Sequence, residues 1–327
     1  MPSMTKEQLD HFDHFGFVAV EGVIDPKNVI DPVIDEYAGV LDNLAEKLRA
    51  EEKITSKYEG LEFGDRVTKI YAESGEVHNK YFDFTLSQAN VTHDTPFWVG
   101  PAVFNALSAP SLLDAVESLV GPEIYSNPVQ HVRIKVPEKD APRDDEGNVI
   151  YGAAPWHQDC GVVNPEADET QMITVWFPLM DTDEENGCLQ VVPGSHRAED
   201  MLTHCPGGKI VQGNLMIPES EFEAGKAVAV PLKKGDALFF SKYTVHSSFP
   251  NNSDRIRWSF DLRYHPVGQA TGRSFLPGFV ARSRSNPASE LRDAQKWREM
   301  WEAARVALAE SEKPVFNRWD GSEAVCA

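Results

Sequence analysis

Residues 257–264 read RWSFDLRY, and the alternation in this stretch decides the fold class. In an extended chain, Arg257, Ser259, Asp261 and Arg263 share one face, while aromatic and aliphatic side chains occupy the other. A strand of this kind buries its apolar face against a core. Its polar face meets solvent in an ordinary sheet, but in a small β barrel it lines a cavity, where a buried arginine needs an anionic partner.

Further short runs of strand-forming residues, separated by turn signals, precede this strand in the second half of the chain. They cover residues 129–136, 171–180, 188–192, 227–231 and 237–240. Many short strands with turns between them favour a sandwich or barrel over a parallel α/β sheet. We therefore predict a mainly-β protein with a barrel-like core from about residue 121 to residue 266.

Helical signals lie on both sides of this core. Thr5 and Gln8 form a capping box before an apolar run, and Asp25 is typical of the residue that begins a helix. Apolar residues at helical spacing predict helices within 5–51 and over 287–310, packed outside the core. No linker-like composition separates these parts, so we expect all 327 residues to form one domain.

Composition excludes several classes of function. The chain has 31 basic and 51 acidic residues, a formal net charge of −20, which repels nucleic acid and anionic membrane surfaces. No apolar run reaches the ~20 residues of a membrane span, and the N-terminus lacks the apolar segment of a signal peptide, so we expect a cytoplasmic protein. The cysteines are scattered, without a CxxC pair, and too few for a disulfide scaffold, which suits a reducing compartment. They are Cys160, Cys188, Cys205 and Cys326.

The segment PWHQDCG at residues 155–161 carries the first candidate ligands. His157 and Asp159 are two positions apart, so both side chains point to the same side of an extended chain. Alone, this pattern also fits an ordinary hydrogen-bonded histidine–aspartate pair. His246 follows a later apolar strand, and two histidines with one carboxylate form the facial triad of non-heme Fe(II) oxygenases. Such a triad leaves three metal positions open, two for a bidentate co-substrate and one for dioxygen.

Several segments together resemble the phytanoyl-CoA dioxygenase family of Fe(II)- and 2-oxoglutarate-dependent oxygenases. They are WHQD at 156–159, NGCLQVVPGSH at 186–196, GDALFF at 235–240, and His246 followed by Arg257. The opening stretch at 9–24, a helix followed by a short strand and a turn, is also similar. The resemblance implies a double-stranded β-helix core, that is, a cupin-like jelly roll with flanking helices.

The resemblance also implies roles for individual residues. His157, Asp159 and His246 would bind Fe(II), with O2 as the oxidant. Arg257 would pair with the distal carboxylate of 2-oxoglutarate, and Ser248 would assist it. Trp176 resembles the tryptophan that lies beside the co-substrate in this family.

The run HVRIKV at 131–136 also alternates between polar and apolar residues. If its polar face points inward, His131 reaches the co-substrate and Arg133 the substrate; if it points outward, it is a solvated face, and the two alternatives weigh equally. Arg263 either reaches the substrate from deep in the cavity or pairs with Asp261, and the pair is the stronger expectation.

These features predict a dioxygenase that hydroxylates or otherwise oxidises a C–H bond of a small organic molecule, with release of succinate and CO2. The alternative is a hydrolase or isomerase on a cupin-like barrel that uses Zn or another divalent metal at the same triad. A binding protein that has kept the fold without activity is a third possibility. The expected partner is a small-molecule substrate, and the expected assembly is a monomer or homodimer.

Overall fold

The computed structural model describes residues 4–86, 90–206, 215–311 and 318–326, and β sheets form its centre. The strands in chain order are β1 (Phe17–Val20), β2 (Glu123–Ser126), β3 (His131–Lys135), β4 (Ile173–Pro178), β5 (Leu189–Val191), β6 (Cys205–Pro206), β7 (Leu215–Met216), β8 (Val228–Val230), β9 (Ala237–Ser241), β10 (His246–Ser248), β11 (Arg257–Pro266) and β12 (Phe279–Ser283).

The strands form antiparallel sheets. The largest has the order β1-β9-β4-β11-β2-β12, with β3 also pairing with β11; a second has the order β10-β5-β8, and β6 pairs with β7. Within the described residues the sheets stay open and no closed barrel forms, because β1 and β12 each pair on one side only. The predicted mainly-β core is therefore present, but as open sheets.

Strand β11 lies at the middle of the large sheet and positions the cavity. Its residues pair with β4 on one side and with β2 and β3 on the other. The register places Arg257 opposite Lys135 and Ser259 opposite Arg133, so polar side chains of two strands face the same space. From Arg257 to His265 every residue of β11 is buried, which means that its polar face does not meet bulk solvent.

Helices cover the sheets. They are α1 (Lys6–Phe15), α2 (Asp31–Ala50), α3 (Phe63–Ser74), α4 (Pro101–Leu107), α5 (Pro110–Val120) and α6 (Ala294–Glu310). The predicted capping box is confirmed, since the Thr5 hydroxyl accepts from the Gln8 backbone N–H and the Gln8 side chain accepts from the Thr5 N–H. Asp25 caps a single π-helical turn that leads into α2.

The predicted start of the C-terminal helix is wrong. Pro287 begins only a 3-10 turn, and α6 starts seven residues later at Ala294. Asp293 is the effective cap, because its carboxylate accepts the backbone N–H groups of Gln295 and Lys296. Apolar residues at the predicted helical spacing nevertheless form the buried face of α6, with Trp297 and Trp301 fully buried.

The structure also pairs two cysteines that the sequence analysis did not connect. Cys205 and Cys326 form a disulfide across a sequence separation of 121 residues, whereas Cys160 and Cys188 are buried free thiols. Among the helices of the described residues, none has the length and apolar character that crossing a membrane requires.

Candidate metal centre

The predicted ligands His157, Asp159 and His246 lie together. One potential ligand atom from each lies within 4.8 Å of the others. His157 and His246 form an isolated antiparallel bridge, in which each backbone N–H donates to the carbonyl of the other at 3.0 Å. Each imidazole donates through Nδ1 to a carbonyl two residues earlier, that of Pro155 or of Thr244. These bonds fix the tautomer that leaves Nε2 as a lone-pair donor for a metal.

The Asp159 carboxylate is fully buried and hydrogen-bonded on both oxygens. Oδ1 accepts from Arg263 Nη2 at 2.5 Å, and Oδ2 accepts from the Thr174 hydroxyl. Burial alone would raise the pKa of Asp159, but the charge and hydrogen bond of Arg263 together with the two nearby imidazoles outweigh it and hold that pKa below its ordinary value. Burial also holds the pKa of His157 well below its ordinary value. The site therefore presents a carboxylate and a neutral imidazole, the forms that bind metals.

This geometry changes the interpretation of Arg263. The expected pair with Asp261 exists at 3.6 Å, but the contact with Asp159 is much shorter. Arg263 also donates to the carbonyl of Val129 and is fully buried. Its guanidinium thus orients a predicted metal ligand, and we do not include it among the proposed substrate contacts.

A cavity opens beside the triad. Its volume is about 330 Å³ when its mouth is counted, and polar groups and aromatic walls share its lining. The lining residues are Arg133, Ala154, His157, Trp176, Leu189, Phe240, His246, Arg257 and Asp261.

Arg257 is fully buried and lines this cavity. Its Nε donates to the Gly187 carbonyl at 3.1 Å and its Nη1 to the Ser259 hydroxyl at 2.7 Å. Its Nη2 is buried and finds no hydrogen-bond partner among the described residues. The Trp176 ring centroid lies 5.8 Å from the guanidinium carbon. Arg257 thus keeps an unused donor next to a pocket, as a site for an anion requires.

Lys135 is a second buried basic side chain, close to Arg257 but not among the residues that line the cavity, and the sequence analysis missed it. Its Nζ donates to the Ser248 hydroxyl oxygen at 2.8 Å, and the same oxygen accepts the Ala154 N–H. Burial and the neighbouring charge of Arg257 hold the pKa of Lys135 well below its ordinary value. No carboxylate in the described part of the chain forms an ion pair with either cation. The signal was present in the sequence, because Lys135 shares the polar face of β3 with Arg133.

The two remaining candidates on β3 have partners of their own. His131 Nδ1 contacts Asp83 Oδ2 at 2.9 Å, and the ring is not part of the cavity lining found in the described residues. Arg133 lines the cavity and lies 3.5 Å from Asp261. The polar face of β3 therefore points inward, but only Arg133 of this pair reaches the cavity.

Residues 12–259 match the family model described as phytanoyl-CoA dioxygenase (PhyH). The chain belongs to this family. The resemblance inferred from the sequence motifs is thereby confirmed.

Curated relatives match over part of their length. The 1-deoxypentalenic acid 11-beta-hydroxylase of Streptomyces arenae is 33% identical over 131 residues, 37% of this chain and 44% of the relative. The human peroxisomal phytanoyl-CoA dioxygenase is 23% identical over 183 residues, 56% of this chain and 51% of the relative. The chain thus spans about half the length of these relatives.

Solved structures share the fold. The non-heme monooxygenase ThoJ in its apo form is 18% identical with a TM-score of 0.56, covering 92% of this chain and 97% of that one. EvdO2 from Micromonospora carbonacea var. aurantiaca, complexed with 2-oxoglutarate, is 19% identical with a TM-score of 0.51, covering 82% and 93%. Together with the family assignment, these similarities confirm the predicted cupin-like jelly-roll core.

Proposed function

We propose that the chain is an Fe(II)- and 2-oxoglutarate-dependent dioxygenase that hydroxylates or otherwise oxidises a C–H bond of a small organic molecule, releasing succinate and CO2. One observation carries the proposal: two histidines and a carboxylate converge beside a cavity that Arg257 also lines, and neither Arg257 nor the neighbouring buried Lys135 forms an ion pair with a carboxylate of the described residues. The triad offers the ligand atoms that a metal ion needs, and Arg257 with Lys135 offers the positive charge that binds a dicarboxylate.

The side chains fit both missing components. His157 and His246 offer Nε2 atoms, Asp159 offers an ionised oxygen, and these atoms lie close enough to share one ion. Arg257 offers a buried, unpaired Nη2 to the distal carboxylate of a 2-oxo acid. When bound, Fe(II) and 2-oxoglutarate supply the redox chemistry that activates dioxygen.

The protein's own contribution is orientation and exclusion of water. Arg257 and Ser248 hold the distal carboxylate, and Trp176 covers the guanidinium. Arg263 and Thr174 keep the Asp159 carboxylate in one orientation, so that no reorganisation is needed when the metal arrives.

Arg133 and Asp261, which also line the cavity, form the polar part of the proposed substrate site. Phe240 and Leu189 supply apolar walls that keep the reacting C–H bond away from bulk water. His131 was expected to reach the co-substrate; we propose instead that it supports β3 through Asp83.

The Zn-dependent hydrolase or isomerase is not favoured. The family assignment supports oxygenase chemistry, and hydrolysis at the triad gives no role to the unpaired donor of Arg257. The same unpaired donor argues against a binding protein that has lost its co-substrate.

The proposal also covers the domain organisation, the location and the partners of the protein. We propose one domain over residues 1–327, which the continuous core from Met4 to Leu308 supports. We propose a cytoplasmic enzyme that acts on a small molecule, without nucleic acid or membrane partners, as a monomer or homodimer.

Anaerobic titration of Fe(II) and 2-oxoglutarate, followed through the visible charge-transfer band of the ternary complex, tests the proposal. Arg257→Met should retain Fe(II) and raise the Kd for 2-oxoglutarate about 10- to 100-fold, since charge-assisted hydrogen bonds contribute about 1.5–3 kcal/mol. Asp159→Asn should lose Fe(II). Arg255→Ala, which removes an exposed ion pair two residues away, is the matched control. If Arg257→Met and Asp159→Asn bind both components like the wild type, the assignment is wrong.

A further inference from the structure

C-terminal residues that are not part of the cavity lining hold the segment that carries Asp159. Trp319 Nε1 donates to the Gly161 carbonyl at 2.8 Å. Arg318 Nε donates to the Val163 carbonyl at 2.8 Å, and its Nη2 pairs with Asp168 at 2.5 Å. These bonds fix the chain directly after the proposed metal ligand.

His204 fixes the same segment from a second direction. Its Nδ1 donates to the Leu202 carbonyl at 2.8 Å, so Nε2 is free to accept the backbone N–H of Gln158 at 2.9 Å. Gln158 is the residue between His157 and Asp159. The His204 ring is fully buried and packs so closely that a Cβ on Gly161 would lie 2.1 Å from its Cε1.

His204 and the C-terminal segment contact each other, and a disulfide links the residue after His204 to that segment. The ring of Trp319 stacks on His204, with centroids 5.5 Å apart and planes inclined by 25°. Cys205 directly follows His204 and is bonded to Cys326. The C-terminal segment is thus held at Trp319 by hydrogen bonding and stacking, and at Cys326 by the disulfide.

We propose that residues 318–326 and His204 position the metal-binding segment 157–163, and that the Cys205–Cys326 disulfide maintains this arrangement, so that reduction weakens metal binding. The inference rests on the proposed metal role of the triad. The residues act through the backbone of Gln158 and Gly161, so they are positioning residues and touch neither substrate nor metal.

The redox step is ordinary thiol–disulfide exchange. One thiolate of a dithiol reductant attacks the disulfide, its second thiol resolves the mixed disulfide, and the products are two cysteine thiols and the oxidised reductant. Two electrons and two protons pass to the protein. A disulfide in a reducing compartment is usually transient, catalytic or redox-sensing, so in the proposed cytoplasmic setting this bond would report the redox state.

The test measures metal affinity with Co(II) alone under anaerobic conditions, followed through its visible absorption. Alkylation of the denatured, unreduced protein and mass measurement should first count two free cysteines. The wild type is then compared before and after reduction with a phosphine, which does not chelate the metal as a dithiol does. Reduction should raise the Kd for Co(II) about tenfold, the lower end of the effect of removing supports around metal ligands.

Variants separate positioning from general stability. Cys326→Ser should have the raised Kd without reduction and should not respond to the phosphine, which makes it the internal control. Trp319→Ala should raise the Kd and alter the Co(II) spectrum, whereas Trp319→Phe, which retains the stacking on His204 but loses the donor to Gly161, should be intermediate. Each comparison is made at a temperature where thermal unfolding curves show the variant to be folded.

The outcomes distinguish failure of the proposed metal site from failure of the proposed positioning role. If the wild type binds Co(II) no better than Asp159→Asn, the metal role of the triad is wrong. If the triad binds Co(II) but reduced protein and Trp319→Ala match the oxidised wild type, only the positioning role is wrong. Four free thiols in the unreduced protein would likewise overturn the role of the disulfide.

Discussion

We expect Lys135 to lower the stability of the ligand-free protein and to strengthen the binding of 2-oxoglutarate. It is a buried cation with one hydrogen bond, beside another cation and, in the described residues, without an ion-paired acid. We predict that Lys135→Met stabilises the metal-free, ligand-free protein by about 1–3 kcal/mol, in line with the replacement of other buried charged groups by apolar ones. The same substitution should raise the Kd for 2-oxoglutarate about tenfold.

The magnitude follows from the local contacts. Loss of the hydrogen bond to Ser248 costs about 1 kcal/mol, but the Ser248 oxygen keeps the Ala154 N–H, so the substitution leaves no orphaned acceptor. The substitution also removes the cost of desolvating an unpaired ammonium, which is several kcal/mol. Methionine has a similar shape and length, so the space remains filled.

The pH dependence of the free energy of unfolding shows independently that Lys135 is destabilising. The pKa of Lys135 is lowered in the folded state, so between that value and the unfolded value of about 10.4 the unfolded chain binds more protons. The contribution of this group to the free energy of unfolding therefore rises with pH through that window and is most unfavourable below it. In Lys135→Met this pH dependence is absent.

Urea denaturation with and without 2-oxoglutarate measures both effects. The ligand should stabilise the wild type more than the variant, because stabilisation depends on ligand concentration relative to Kd. Lys234→Met, which loses an exposed ion pair with Asp31, is the control and should change stability by less than about 0.5 kcal/mol. A variant that is less stable than the wild type in the absence of ligand, or that binds 2-oxoglutarate equally well, refutes the reasoning.

Three further predictions concern the support of the metal ligands. Arg263→Met should destabilise the metal-free protein by about 3–5 kcal/mol, because it leaves Asp159 buried without its cation. Co(II) should recover part of this loss in urea denaturation, and equal losses with and without Co(II) would contradict the prediction. Thr174→Val should raise the Kd for Co(II) about tenfold by titration, since one Asp159 oxygen loses its donor; an unchanged Kd would show that Arg263 suffices for orientation. Gly161→Ala should lower the free energy of unfolding by about 1–3 kcal/mol in the same denaturation assay, because the added methyl group overlaps His204; a neutral result would mean that the ring moves aside freely.

The sequence predicted those features that depend on local pattern. Alternation along β11 identified a polar face, and the inward direction of this face followed from the fold. Apolar runs predicted β4 and β9, because their strands are buried on both faces and contain few polar residues. The metal ligands were predictable because histidine and aspartate two positions apart in an extended chain must share a side.

Features that depend on distant contacts were missed. Strands β2 and β12 are short and mixed in composition, so only pairing defines them, that of β2 with β11 and that of β12 with β2. The start of α6 was misassigned because Pro287 is a strong helix-start signal, whereas the capping role of Asp293 depends on where the chain enters the core. The pairing of Cys205 with Cys326 could not be read from spacing, since it depends on where the C-terminal segment packs.

The backbone bridge between His157 and His246 has a consequence for redesign. The two imidazoles are spaced by main-chain hydrogen bonds, which do not depend on the neighbouring side chains. Other residues that line the cavity, Ala154 and Leu189 among them, are therefore separable from the spacing of the two imidazoles. Libraries that vary these wall residues should alter which molecules the proposed dioxygenase accepts without disturbing the spacing of the two imidazoles, so the scaffold is suited to directed evolution of new oxidation catalysts.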